Sequence, residues 1–340
     1  MTIVSKNSAE SAADERPRRR ITSLEVLCVL VLLAVLGQDW LQRILDAPAV
    51  RTGATIFVAV CVQALPFLVL GVLISGAIAA FVPARVLRKV LPRNEALAVP
   101  TAGAAGIALA GCECASVPVA RRLIGQGVLP SVAFTFMLAA PAVNPVVLVA
   151  TAVAFPGEPG MVLARFLGSM GTAVFMGWLW AKLGKAEWIA ERVLRRMPEH
   201  PGNRRWVTFA ETARHDLVEA GGYLVLGGLV SAVLTVAVPQ DWLATLGGQV
   251  VLGVLVMAVL AVVLSLCSEA DAFVAASLAP LPLLPKLVFM VVGPAVDLKL
   301  FALQTGTFGK AFALRFAPAT FVVAIACALG AGLLVLGGVR

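Results

Sequence analysis

Apolar residues in this chain fall into long blocks, at 21–37, 54–82, 96–120, 128–155, 161–183, 212–238, 250–266, 283–305 and 311–336, separated by short polar stretches. Most of these blocks hold the about 20 residues that a helix needs to cross the hydrocarbon core of a bilayer. Membrane β-strands would instead alternate apolar and polar residues over segments of about ten. The pattern predicts membrane-embedded α-helices, several of them interrupted by glycine and proline.

The second half of the chain repeats the first. Phe67-Leu68-Val69-Leu70-Gly71 falls on Tyr223-Leu224-Val225-Leu226-Gly227 at an offset of 156, which also pairs Gln63 with Glu219, Ser75 with Ser231 and Pro83 with Pro239. Further on the offset is 153. It then places Cys114 on Cys267, Phe136 on Phe289, and Pro141-Ala142-Val143-Asn144 on Pro294-Ala295-Val296-Asp297. Matches among Leu, Val and Gly carry little weight in so apolar a chain, but a shared cysteine and a shared Pro-Ala-Val-Asn/Asp at one offset do.

Charge sets an expected orientation. Arg85, Arg88, Lys89 and Arg93 mark one loop as cytoplasmic, and Lys185, Arg192, Arg195, Arg196, Arg204 and Arg205 mark a longer one. The loops at 156–160 and 240–248 carry no Lys or Arg and belong outside. All of these loops fall on the correct side if residues 96–120 enter and return on the same face, with a turn near Gly111-Cys112-Glu113-Cys114. The equivalent segment of the second half, broken near Cys267, would enter from the other side. The expected fold is therefore an all-α integral membrane protein, a polytopic bundle of two inverted repeats with broken or re-entrant helices. Transporters recurrently use this plan, because an interrupted helix offers backbone groups and dipole ends to a solute.

The domain reading follows: a cytoplasmic tail over 1–20, an anchor span and loop over 21–53, a first membrane repeat over 54–183, a basic cytoplasmic loop over 184–211 and a second repeat over 212–337. Arg16, Arg18, Arg19 and Arg20 precede the first apolar run and hold the N-terminus in the cytoplasm. That run leads into Gln38, Asp39 and Trp40 with no small-residue cleavage site, so an uncleaved anchor is expected.

Composition sharpens this picture. The 340 residues are 60% hydrophobic and 14% charged, with mean hydropathy +0.95, against about 25% charged in soluble domains. The net charge of +8 collects in loops rather than in one stripe, which excludes a nucleic-acid partner. No G-x-x-x-x-G-K-[ST], H-E-x-x-H or C-x-x-C occurs, so neither ATP hydrolysis nor a familiar intramembrane enzyme is indicated, and no cofactor is implied.

The candidate chemistry lies at the breaks. Cys112 and Cys114 stand one residue apart in a Gly- and Ala-rich stretch, and Cys267 brings a third thiol from the other half. Soft sulfur ligands suit thiophilic species, and zinc or cobalt among metals, whereas packed small residues remain the plain alternative. Cys28, Cys61 and Cys327 sit deep in apolar runs and read as packing residues. Glu113, Glu269, Asp271 and Asp297 lie in or beside the breaks, where an ionisable group at membrane depth is a functional candidate by default. Asp297 occupies the place of Asn144, so one half offers a carboxylate able to exchange a proton where the other offers an amide. A helix cap or a pairing with Lys299 is the structural alternative. The histidines His200 and His215 lie in or beside the long basic loop, away from any intramembrane site.

At Gly111-Cys112-Glu113-Cys114-Ala115-Ser116-Val117-Pro118 and Ala139-Ala140-Pro141-Ala142-Val143-Asn144-Pro145, the chain resembles the predicted permease family that includes ArsP-type organoarsenical efflux permeases and YraQ-like permeases. Cys267 and Gly293-Pro294-Ala295-Val296-Asp297 fit the same pattern, and the resemblance covers roughly 54–336. It implies a multi-pass permease of the cell inner membrane that binds a small thiophilic solute at Cys112, Cys114, Cys267, Asn144 and Asp297. For arsenical members it implies efflux of trivalent organoarsenicals. Proton coupling would fall to Asp297, Glu269, Asp271 and Glu113. Glu113 departs from the small Ser or Thr usual between the cysteines, which keeps a zinc or cobalt cation open as the solute. The other open readings are a membrane subunit needing a partner membrane or periplasmic subunit and, less favoured, a thiol oxidoreductase.

Overall fold

A computed structural model describes residues 48–81, 94–107, 113–190, 193, 205–237, 250–278 and 281–337. The expected tail, the anchor span, Cys28, Cys112 and most of the basic loop, including His200, lie outside the described residues. The chain divides into Met1–Arg51 and Thr52–Arg340, and nearly everything described belongs to the second unit.

Among the described residues the structure is α-helical with one 3₁₀ turn, Ala186–Trp188, and has no strand. A long helix α1 (Pro48–Phe81) is followed by α2 (Glu95–Gly106), α3 (Glu113–Gly125), α4 (Pro130–Ala142), α5 (Pro145–Ala154) and α6 (Pro159–Leu183). A second long helix α7 (Arg205–Ala237) is followed by α8 (Val250–Leu264), α9 (Asp271–Ser277), α10 (Leu283–Ala295), α11 (Leu298–Phe308) and α12 (Lys310–Val335). The order of long, short, broken and long helices thus occurs twice, in register with the sequence repeat. The packing partners also recur: α2 on α4 as α8 on α10, α4 on α6 as α10 on α12, and α3 on α11 as α9 on α5.

The breaks have local causes. Between α4 and α5, Pro145 has no N–H to continue the ladder and holds Asn144 extended at φ −70°, ψ 154°. The Asn144 carbonyl then caps α5 by accepting from Val147 N at 2.9 Å. Between α10 and α11 there is no such proline, and Asp297 makes the cap by accepting from Leu300 N. The earlier break in each half falls where the cysteines are: α2 ends at Gly106 and α3 begins at Glu113, and α8 ends at Leu264 with α9 beginning at Asp271. At about 1.5 Å per residue, neither α2 nor α3 alone reaches across an about 30 Å hydrocarbon core. In the second half Ser265 adopts φ +47°, a left-handed conformation that β-carbon sterics disfavour. Its Oγ accepts from Leu298 N at 3.1 Å, which ties this break to the start of α11.

Five helical segments are long and apolar enough to cross a membrane among the described residues: Pro48–Ile78, Pro130–Ala154, Pro159–Leu183, Leu283–Phe308 and Lys310–Val335. Val62, Leu65, Val149, Val153, Val225, Val322 and Leu334 point outward, an apolar exterior that requires lipid as solvent. Inside, α6 lies against α12 at small residues: a β-carbon on Gly168 would stand 3.4 Å from the Ala328 Cα. Phe134, Trp180, Phe308, Phe312 and Phe316 form an aromatic knot between the halves, with ring centroids 4.6–5.4 Å apart for most pairs.

Candidate functional site

Two buried ion-pair clusters occupy the space between the breaks. Glu113 opens α3 with its carboxylate at a helix N-terminus, where the dipole favours negative charge. The α3–α11 packing brings it to Lys299, whose Nζ donates to Glu113 Oε1 at 3.0 Å. The same ammonium stands 3.5 Å from Asp297 Oδ2, an ion-pairing distance looser than a good hydrogen bond. Glu113, Asp297 and Lys299 are each no more than 2% exposed. Cys114 and Cys267 belong to one buried cluster, and both lie within electrostatic range of Lys299. Cys61 on α1, read from the sequence as a packing residue, also lies within that range.

The second cluster centres on Arg165, fully buried in α6. Its guanidinium donates to Asp271 Oδ2 at 2.8 Å, to the Ser268 carbonyl at 2.9 Å and to Thr151 Oγ1 at 2.7 Å, with Met290 Sδ at 3.8 Å. One side chain of the first half thus clamps the break of the second, while Lys299 of the second half clamps the break of the first. Glu269 lies between, in electrostatic range of Glu113, Arg165 and Lys299.

These pairs leave polar capacity unused. Glu113 Oε2, Glu269 Oε2, Asp271 Oδ1, Ser268 Oγ and Arg165 Nε are buried without a hydrogen-bond partner. In these two clusters four carboxyl groups face two fixed cations, so a proton or an added cation is needed to balance any carboxylate beyond two.

Of the residues singled out from the sequence, Glu113, Cys114, Cys267 and Asp297 gather around Lys299, and Glu269 and Asp271 gather with Arg165. Asn144 takes a different place: its amide donates to Ala140 O at 3.2 Å and its carbonyl caps α5, the helix that carries Thr151 to Arg165. Asp297 meets both structural alternatives at once, as cap of α11 and partner of Lys299. Among the described residues no group of three His, Cys, Asp or Glu stands ready to hold a metal ion. Cys61, Cys114, Cys267 and Cys327 are not joined by disulfides.

Arg165 and the role of Lys299 escaped the sequence reading, although Arg165 is the sole charge in the first turns of the 161–183 run and an arginine there carries the same warrant as the acids. A third buried group was also unforeseen. Arg122 Nη2 of α3 lies 3.3 Å from Asp216 Oδ2 of α7, which accepts from Ser75 Oγ of α1 at 2.8 Å.

Glycine brings the long helices in close. A β-carbon on Gly71 would collide with the backbone of Ala115, next to Cys114, and one on Gly227 would come 2.7 Å from the Lys299 Cα. These two glycines are the pair that the repeat superposes, and each admits the long helix of its half to the site.

Residues 50–332 match a family of the ArsP type described as predicted permeases. The chain is 33% identical over 284 residues to the UPF0718 protein YcgR of Bacillus subtilis (strain 168), covering 81% of this chain and 94% of that protein. It is 30% identical over 284 residues to a putative two-component membrane permease complex subunit of Streptococcus mutans serotype c, covering 82% and 94%. No solved structure matches the chain.

Proposed function

The chain belongs to the predicted permease family, and from that premise we propose that it exports a small thiophilic solute across the cell inner membrane through the site between its two helix breaks. The observation that carries this reading is the convergence of Cys114 and Cys267, one from each break, on a single buried charged residue, Lys299. Thiols from two separate elements can hold a soft solute jointly and release it when those elements part. Trivalent organoarsenicals and soft transition-metal cations such as zinc and cobalt share that chemistry. Cys112, two positions before Cys114 in the sequence, is the third thiol in this proposal.

In this proposal the halves have opposite orientation in the membrane with the N-terminus in the cytoplasm, and the breaks open alternately to either side. The carboxylates exceed the fixed cations, so inward proton movement through Asp297, Glu269, Asp271 and Glu113 supplies the driving force. Asp297 separates coupling from capping. Asp297→Asn keeps an acceptor for Leu300 N, as Asn144 does for Val147 N, and removes the exchangeable charge together with the ion pair to Lys299.

Uptake of trivalent methylarsenical, zinc and cobalt into everted membrane vesicles tests the proposal. One of the three accumulates in wild type, stops when the proton gradient is collapsed, and is lost in Cys114→Ser and Cys267→Ser. Asp297→Asn folds and fails to accumulate the solute. Cysteine variants that match wild type would remove the thiol site from the proposal.

The printed name of the Streptococcus mutans relative motivates a second reading, in which this chain is the membrane subunit of a two-component permease. Mild-detergent purification from native membranes then yields a second polypeptide in fixed ratio, and vesicles containing this chain alone do not transport. Full activity of the purified single chain in liposomes excludes that reading.

A further inference from the structure

We propose that Lys299 is a tethered stand-in for the transported cation, bound at the solute's own carboxylates and expelled when the solute enters, so that the solute is a soft divalent cation rather than a neutral species. This rests on the thiol-site reading above and narrows its substrate class.

Three observations converge on this assignment. First, Lys299 lies in the opening turn of α11, the positive end of a helix, where a cation is disfavoured, and the carboxylates of Glu113 and Asp297 offset that. Second, its hold is loose. An ammonium has three donors, and here one hydrogen bond at 3.0 Å and one ion pair at 3.5 Å are formed. Arg165 by contrast is fixed by a carboxylate, a backbone carbonyl and a hydroxyl at 2.7–2.9 Å. Third, Glu113 Oε2 is buried without a hydrogen-bond partner and Asp297 Oδ2 lacks one apart from the loose ion pair, in side chains 1% exposed. The two carboxylates therefore have unfilled capacity at the point where the ammonium sits.

The ligand class follows from what remains once Lys299 swings away on its flexible four-carbon stem. Two carboxylates and the thiols of Cys114 and Cys267 make a four-donor O2S2 set, suited to a tetrahedral, thiophilic divalent cation such as zinc or cobalt(II). A neutral arsenical would draw on the thiols and leave both carboxylates against Lys299. Among the described residues no three of these donors stand ready together, so binding has to draw them in as Lys299 leaves. Exchange of Lys299 for the incoming cation also keeps the buried carboxylates partly neutralised in the empty carrier, which lowers the charge penalty of its return through the conformational cycle.

Titration of the full-length chain in nanodiscs with zinc chloride and cobalt chloride tests this in wild type, Lys299→Met and Lys299→Arg. Lys299→Met, which removes the competitor, binds both ions at least tenfold more tightly than wild type. Lys299→Arg, whose planar fork grips carboxylates more firmly, binds them more weakly. Cobalt binding produces a thiolate-to-metal charge-transfer band that disappears in Cys114→Ser/Cys267→Ser. Equal or weaker binding by Lys299→Met overturns the proposal. Should that variant not fold, the arginine variant decides alone, since binding equal to or tighter than wild type also overturns it. If trivalent methylarsenical binds through the cysteines with an affinity blind to residue 299, and neither metal binds, the cation class falls while the thiol site stands. If none of the three binds through the cysteines, the thiol site itself falls.

Discussion

Replacing Arg165 by Met removes the charge that the second break depends on, and the structure sets the size of the effect. The Arg165–Asp271 pair is 0% and 3% exposed at its side chains, with N···O at 2.8 Å. Breaking one side of so buried a pair leaves Asp271 charged and unpaired, at a cost of about 3–5 kcal/mol. The Ser268 carbonyl loses its guanidinium donor as well, whereas Thr151 still donates to Val147 O at 2.8 Å. Asp271→Leu strands the arginine instead, at a similar cost. The double variant Arg165→Met/Asp271→Leu removes both charges together and fills the space with apolar atoms, an exchange that is often close to neutral. With each single loss at about 3–5 kcal/mol and the double variant near neutral, the two single losses should fail to add by about 6–10 kcal/mol, beyond the about 0.5–3 kcal/mol usual for residues in contact. Unfolding of the purified chain by SDS in mixed micelles, followed by tryptophan fluorescence, measures all four corners of the cycle. Additivity within about 0.5 kcal/mol would show that the pair contributes nothing beyond its separate parts, and would refute the account of Arg165 as the clamp of the second break.

Three further perturbations follow from the same geometry. Gly71→Val and Gly227→Val drive a side chain into the Ala115 backbone and toward the Lys299 Cα, so each should cost at least about 1–3 kcal/mol in the same unfolding assay, whereas Gly221→Ala, with open space around it, should change stability little. Asp216→Leu takes the Asp216 carboxylate from buried Arg122 and leaves Ser75 only the longer bond to Pro118 O; a loss of about 3 kcal/mol is expected, and recovery in Asp216→Leu/Arg122→Met checks the cause. Gly309, at φ +104° and ψ 154° between α11 and α12, occupies a region closed to side chains, and Gly309→Ala should lower stability by about 1–3 kcal/mol, read as an earlier SDS midpoint.

Much of this architecture was legible in the sequence because it is written in local chemistry. Pro145, the Asp297 cap and the Gly- and Ala-rich stretch before Cys114 act within a few residues of themselves, whereas the Asn144 cap and the left-handed turn at Ser265 came only with the structure. The repeat made Cys267 readable through Cys114. What stayed hidden depends on how distant helices pack. Nothing near Lys299 in sequence says that it reaches Glu113, and nothing near Arg165 says that it reaches Asp271, because those pairs form across the α3–α11 contact and across the α6, α9 and α10 layer. Arg122 becomes a partner of Asp216 only through the approach of α7.

The way charge departs from the repeat bears on mechanism. At the offset of 153, Arg165 stands opposite Pro318, Lys299 opposite Val146, Asp271 opposite Pro118, Glu113 opposite Leu266 and Glu269 opposite Ser116. The backbone devices recur in both halves: the breaks, the caps, the glycines that admit the long helices and the cysteines. None of the ionised groups between the breaks has an ionised counterpart. A symmetric set would place like charges across a short buried gap, which a low-dielectric interior penalises severely. The asymmetric set lets each half supply the cation that the other half's break requires. It also makes the two clusters unequal, since a triply anchored guanidinium holds the second break and a loosely bound ammonium holds the first. In the proposed alternating cycle, the weaker grip of Lys299 makes the first break, around Glu113 and Cys114, the easier of the two to open.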